Sequence, residues 1–196
     1  WGTWDEYAKV RGGELLPGTG ENEGVSGIRF APSDGTDEQS HDFHTVEFCV
    51  EQLHKQHDRP FFLACGLHKP HMAWNVPRKY YDLFPLDSIE LPKVLETDLD
   101  DVPAAGQRMA NPQGDHAAML KSGRWKEAVR GYLAAGAFCD AMIGKLMQGF
   151  DSSPHKNNTI IVFWGDHGWH LGEKQHWRKF ALWEEATRAP LFFVAP

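Results

Sequence analysis

An α/β layered fold with a mainly parallel sheet is what this sequence predicts, on three observations. Short runs that are apolar on both faces recur at 61–65, 159–164 and 190–195. Proline, glycine or a polar turn bounds each run. Helical stripes or long polar excursions separate them, as expected when helices cover a sheet. A length of 196 residues, 41% apolar and 24% charged, suffices for one globular domain or a large piece of one. That composition excludes a disordered, collagenous or coiled-coil chain.

Taken in order, residues 1–39 form a loop-rich opening segment. Between 11 and 37 stand Gly12, Gly13, Pro17, Gly18, Gly20, Gly24, Gly27, Pro32 and Gly35 among polar residues, so a long surface connection is expected. From 40 to 57 the apolar residues Val46, Cys49, Val50 and Leu53 recur at helical spacing. Pro60 opens the run Phe61-Phe62-Leu63-Ala64-Cys65, closed by Gly66, which reads as a strand covered on both faces. Residues 92–123, with Pro92, Pro103, Pro112 and the acidic Asp98-Leu99-Asp100-Asp101, read as an excursion with few internal elements. The stripe Trp125, Val129, Tyr132, Leu133, Cys139, Ile143, Leu146 and Met147 predicts the main helix over 125–147. Gly136 lies on that stripe and weakens the helix by roughly 1 kcal/mol relative to alanine unless a close neighbour needs the space. After turn residues 151–158 come the second strand, ending at Gly165, and the third, so 40–196 is the expected helix and strand core.

Subtracting 27 acidic from 20 basic residues leaves a formal charge of −7, which argues against nucleic acid or an anionic membrane surface as partner. An anionic ligand then has to be held by a local cluster or a metal. No apolar run is long enough to span a bilayer, and Trp1-Gly2-Thr3-Trp4 has no leader character. Without an initiator Met, and with Pro196 directly after a strand-like run, the sequence is expected to be a segment of a longer protein. Cys49, Cys65 and Cys139 are odd in number and widely spaced, so buried free thiols are expected in place of disulfides or a Cys-rich zinc module. Asn157-Asn158-Thr159 is a glycosylation sequon, meaningful in a eukaryotic secretory protein.

Ligands of open α/β sheets bind beyond the carboxyl ends of strands. The first strand releases Gly66-Leu67-His68-Lys69-Pro70-His71; the second releases Gly165-Asp166-His167-Gly168-Trp169-His170 and continues through His176 to Lys179. Asp166 is a hard oxygen donor suited to Ca²⁺ or Mg²⁺, whereas His167, His170 and His176 suit Zn²⁺, so spacing leaves the metal open. The plainer readings are a turn cap for Asp166, satisfied loop histidines at 68 and 71, solvated Lys69 and Lys179, and core packing for Trp169 and Trp177.

The stretch NTIIVFWGDHGWHLGEKQHWRKFALWEEATRAPLFFVAP at 158–196 closely resembles the type I sulfatases, particularly the branch of iduronate-2-sulfatase and choline sulfatase. PFFLACGLHKPHMAW at 60–74 resembles a second signature of that branch, continued by Pro77, Tyr80, Tyr81 and Pro85-Leu86. The resemblance covers about residue 40 onward. It implies an alkaline-phosphatase-like α/β/α sandwich, present as a partial domain, and hydrolysis of a sulfate monoester with Ca²⁺ on the sulfate oxygens. Position by position, it implies that Asp166 and His167 belong to the metal site, and that His68 and Lys179 contact the sulfate and assist the leaving group. Lys69, His71, Trp169 and His170 are further candidates for substrate contact. Family habit also implies a secreted, periplasmic or lysosomal location.

Breaking an S–O bond to a sugar or alkyl alcohol leaves charge on the departing oxygen, which a proton must offset; His68 is the expected donor. A cation and fixed donors must hold the other sulfate oxygens in so acidic a chain. The family's C-x-P-S-R motif, whose cysteine becomes formylglycine, is absent: Cys49, Cys65 and Cys139 are followed by Val-Glu-Gln, Gly-Leu-His and Asp-Ala-Met. The Asp-Asp metal pair and the Lys-x-His element are absent too, so the N-terminal part of the catalytic domain is missing and this chain by itself is expected to be inactive and to bind Ca²⁺ weakly. Three other readings stand beside this one: a phosphatase or phosphonate hydrolase of the same superfamily, a zinc hydrolase built on His167, His170 and His176, and a non-catalytic pseudo-sulfatase that binds a glycan.

Overall fold

The structure is a computed structural model and describes residues 24–196. In chain order its elements are β1 (Gly24–Val25), β2 (Ile28–Ser33), α1 (His41–His54), β3 (Trp74–Pro77), α2 (Arg78–Tyr81), α3 (Ala104–Ala110), α4 (Ala117–Ser122), α5 (Trp125–Asp151), β4 (Ile161–Trp164), β5 (His170–Leu171), β6 (Trp177–Arg178), α6 (Glu184–Thr187) and β7 (Leu191–Val194). They fall into two compact units. Arg29–Pro85 and Arg130–Asn158 belong to the first; Gly24–Ile28, Leu86–Val129 and Thr159–Pro196 form the second.

In the first unit β2 and β3 pair in parallel, Phe30 opposite Trp74 and Pro32 opposite Val76. All four residues of β3 are buried, as befits a strand covered on both faces. Asn75 is a polar residue there, and its Nδ2 donates to Ala31 O at 3.2 Å. Ser40 caps α1 by accepting from Phe43 N at 3.2 Å, and Val46, Cys49 and Leu53 turn inward as the helical stripe requires. The helix α5 lies close enough to this sheet that a methyl group at Gly131 would stand 2.8 Å from Phe30 Cβ and 3.0 Å from Tyr81 Oη. Phe138 on the same helix meets Tyr80 edge to face at 5.4 Å.

The second unit holds β4 and β7 as an antiparallel pair, with Phe163 stacked on Phe192 at 4.6 Å, and the short hairpin of β5 and β6. The first residue of α5 supports that hairpin. Trp125 Nε1 donates to Leu171 O at 2.6 Å, and its ring fills the place a side chain at Gly172 would occupy. Gly172 has φ +129°, a conformation side chains rarely adopt, so glycine is needed there on both counts.

Several expectations are corrected. Residues 11–23 of the expected surface connection lie outside the described residues, but from Ile28 the chain enters β2, where Ile28, Phe30 and Ala31 are buried. The glycines around it masked that short pattern. The excursion contains α3, α4 and an intervening π turn at Pro112–His116 in place of plain loop. Residues 61–65 carry no strand, since no described strand pairs with them, and Phe62 is 85% exposed. Among the described residues one strand pairing with given register is parallel and two are antiparallel, because β7 returns against β4 and β5–β6 is a hairpin. On α5 the buried face runs through Ala128, Ala135, Phe138 and Met142, whereas Leu133 of the expected stripe is 37% exposed. Gly136 meets nothing within 4 Å among the described residues, so no close neighbour there requires it.

Candidate active site

The 66–73 loop of the first unit is built on Asp42, a buried carboxylate in the first turn of α1. Its Oδ1 accepts from His68 N at 2.8 Å and its Oδ2 from Lys69 N at 2.9 Å. An anion at a helix N-terminus is itself favoured, so this residue serves helix and loop together. Met72 O accepts from both imidazoles, from His71 Nδ1 at 2.7 Å and from His68 Nε2 at 3.4 Å, and the rings lie 4.9 Å apart. Burial, then the charge of Lys69 and the neighbouring His71, holds His68 below the ordinary imidazole range. Burial likewise pushes the Lys69 ammonium down to about 8, with Asp42 opposing, and its Nζ donates to Ala73 O. Trp74 Nε1 closes the loop on Pro70 O at 2.8 Å. The peptides Lys69–Pro70 and Met72–Ala73 are cis.

In the second unit, Gly165 follows β4 and bonds Pro190 O at 3.0 Å. Gly168 donates to Ala186 O at 2.8 Å, and a side chain there would strike Glu185 O at 2.0 Å. Between these glycines the Asp166 carboxylate is 83% exposed, its Oδ1 accepting from His167 N at 3.0 Å. His167 Nδ1 donates to Gly168 O at 2.7 Å, which leaves the lone pair on Nε2, 3.4 Å from Asp166 Oδ2. Two donors therefore sit together, a carboxylate oxygen and an imidazole nitrogen.

Further along, Trp169 and His170 are buried. His170 Nδ1 donates to Glu173 O at 3.1 Å, and its ring packs against His176 at 5.0 Å and Trp183 at 5.9 Å. His176 Nδ1 donates to Ala110 O at 2.9 Å. The segment from Gly172 to Arg178 is hung on the excursion by its side chains: Lys174 pairs with Asp98 at 2.6 Å, Gln175 donates to Leu95 O and Glu96 O, and Arg178 pairs with Asp115 at 2.6 Å. Lys179 follows, half-buried, without a carboxylate partner among the described residues.

The structure thus assembles His68, Lys69 and His71 in one loop of the first unit, and brings Asp166 together with His167 in the second. The expectation of a zinc site on His167, His170 and His176 is corrected: no group of three such donors able to hold a metal occurs among the described residues. The reason is visible in the bonding, because His170 and His176 are turned inward against Trp183. All three cysteines are free. Its hydrogen bond with Cys49, together with burial, pushes Cys65 well above the ordinary thiol range, and burial takes Cys139 to about 11, so neither is an activated nucleophile. Sequence reasoning missed Asp42; its only sequence signal is an acidic residue just inside a serine-capped helix.

A family model described as Sulfatase matches residues 8–196. The chain belongs to the sulfatase family. It is 42% identical over 159 residues to a sulfatase of Formosa agariphila, an alignment covering 79% of this chain and 31% of that protein. Iduronate 2-sulfatase of Homo sapiens is 32% identical over 173 residues, covering 79% of this chain and 30% of the relative. The chain therefore spans about three tenths of the length of these relatives. A phosphonate monoester hydrolase from Silicibacter pomeroyi superposes with a TM-score of 0.70 at 18% identity, covering 98% of this chain and 41% of that one. The fold is accordingly the α/β fold of alkaline-phosphatase-like sulfatases and phosphonate hydrolases, present in part.

Sulfatases in general use a metal and a formylglycine. The donors here fit the first requirement as a partial set: the exposed Asp166 carboxylate and the His167 Nε2 lone pair occupy adjacent positions, as two members of a cation's shell would. A hard cation takes about six to eight oxygen ligands, so the remainder has to come from elsewhere.

Proposed function

We propose that the protein carrying this chain hydrolyses sulfate monoesters of carbohydrates or small alcohols, with His68, Asp166, His167 and Lys179 as its working residues. The observation that carries this reading is the pairing of the exposed Asp166 with the His167 lone pair directly after β4, within a chain whose sulfatase match runs from residue 8 to its last residue. A bound cation, Ca²⁺ in this reading, supplies charge that offsets the sulfate oxygens. Asp166 and His167 would supply two of that cation's ligands. His68, as its imidazolium, would deliver a proton from Nε2 to the departing oxygen and be left neutral, and Lys179 would offset developing negative charge. Burial holds His68 below the ordinary imidazole range, so its protonated, donating form gains population toward acid pH. The nucleophile, a formylglycine, and the other metal ligands belong to sequence that these 196 residues do not contain.

No described helix is long and apolar enough to cross a membrane, and a net charge of −7 disfavours nucleic acid. We place the protein outside the cytosol, in a secreted, periplasmic or lysosomal setting, as family resemblance suggests. The test is sulfate release by the full-length, formylglycine-bearing protein from an aryl sulfate and an alkyl sugar sulfate, with a phosphonate monoester as competitor. His68→Ala and Lys179→Ala should each lower kcat by about 10²-fold or more, with the larger loss on the alkyl ester, whose leaving group needs the proton more. The 196-residue chain alone should release no sulfate. Faster turnover of the phosphonate, or full activity in both variants, would overturn the assignment.

A further inference from the structure

The second unit contains a cavity of 350 Å³ bordered by Arg108, Asn111, Asp115, His176, Arg178 and Phe180. The buried His176 and Trp177 close it on the inside, while Arg108, Asn111 and Phe180 are exposed at its mouth. Its polar groups are not equivalent. Arg178 Nε binds Asp115 Oδ2 at 2.6 Å and its Nη2 reaches Ser26 O at 3.0 Å, while Asp115 Oδ1 takes the Ser26 hydroxyl at 2.6 Å. That pair is satisfied within itself. His176 is directed by its bond to Ala110 O, and burial favours its neutral form. Arg108 has no carboxylate partner among the described residues, so the cavity keeps one uncompensated guanidinium charge in a chain whose formal charge is −7.

The site is also built with some strain. Arg178 has φ +77°, a left-handed conformation unfavourable for a non-glycine residue, and persists in it under its anchors to Asp115 and Ser26. Asn111, closing α3, has φ +50° and turns its amide over Gly114, where a methyl group would lie 2.3 Å from Nδ2. Phe180 is 72% exposed beside this polar set and adjoins Lys179 in the chain. An open aromatic face, an amide and a planar cation around a hollow near the lower end of the roughly 300–1,000 Å³ typical of ligand pockets match the surface of one sugar ring that carries an anion.

We propose that this cavity is a saccharide subsite flanking Lys179, in which Phe180 faces the ring, Asn111 meets its hydroxyls and Arg108 takes a second anionic group, a carboxylate or a further sulfate. The inference rests on the sulfatase reading above for its placement next to the scissile ester. Arg108 is exposed and outside the proposed proton-transfer machinery, so Arg108→Ala should leave the fold and the turnover of a sugar-free aryl sulfate unchanged. In the full-length matured protein, the same substitution should raise KM about tenfold for a sulfated disaccharide bearing a uronic acid, or for one bearing a second sulfate, with kcat nearly unchanged and partial recovery in Arg108→Lys. Whichever substrate loses affinity identifies the anion. Calorimetric titration with the desulfated uronic disaccharide and with a sulfated monosaccharide product supplies a readout without turnover: wild type should bind at least one of them, and Arg108→Ala should lose that binding. Wild-type protein that cleaves aryl sulfate but binds neither anionic saccharide would overturn the subsite and leave the sulfatase reading intact. Protein that binds an anionic saccharide through Arg108 yet prefers phosphonate esters would do the reverse. Equal KM changes on aryl and saccharide substrates, or none on any, would also overturn the subsite.

Discussion

The two loops expected to carry the chemistry are held in opposite ways. The 66–73 loop hangs from one carboxylate, Asp42, which is 4% exposed and receives two successive backbone amides. The Gly172–Arg178 segment hangs from many weaker points, with Lys174 on Asp98, Gln175 on two carbonyls, His176 on Ala110 O and Arg178 on Asp115, most of them partly exposed. One buried charged acceptor is worth more than one surface ion pair, because its loss strands donors away from water, whereas an exposed pair is replaced by solvent. A concentrated anchor gives precise placement of His68 and a single point of failure; a distributed one tolerates the loss of any member.

The largest break in that comparison should come from Asp42→Ala. With two part-buried N–H groups left unpaired, the intact protein should lose about 1–3 kcal/mol in urea unfolding, and the amides of His68 and Lys69 should lose hydrogen-exchange protection. Lys174→Ala, by contrast, should cost about 1 kcal/mol or less and leave exchange in the Gly172–Arg178 segment largely intact. Equal losses in the two variants would erase the distinction.

Acid should loosen both loops. Burial holds His68, His116 and His176 below the usual imidazole value, so the unfolded chain binds these protons more readily than the native one. Their contribution to stability is complete above about pH 6.5 and is lost progressively as pH falls through that value toward the lower folded ones. The urea midpoint should therefore drop between pH 7.5 and 5.5, and less so in His176→Gln; a flat midpoint would contradict the lowered proton affinity of these rings. The smallest effect, and a control belonging to neither loop, is Gly136→Ala in α5. A methyl group there meets nothing among the described residues, so stability should rise by about 0.5–1 kcal/mol without altering the relative protection of the two loops.

What could be read from the chain follows from how local each signal is. The helices α1 and α5 and the pair β4 and β7 announce themselves through period or apolar run within a dozen or so residues, and the flanking glycines mark Asp166 and His167 as a strand-end feature. β2 was hidden because its six residues alternate only briefly inside a glycine-rich stretch. The 61–65 run shows the converse, since apolar composition states a preference for a sheet but cannot supply the neighbouring strand. Asp42 was illegible because its partners lie 26 and 27 residues downstream. The cavity was illegible for the same reason on a larger scale, with Asp115 and Arg178 separated by 63 residues.

The strands β4 and β7 form a ribbon of two, and all four residues of β7 are exposed, Leu191, Phe192, Phe193 and Val194 among them. Hydrogen-bonding rims flanked by bare phenyl and alkyl groups are templates for edge-to-edge growth. Prepared as an isolated polypeptide, these residues would favour aggregation, so biochemical work calls for the full-length protein.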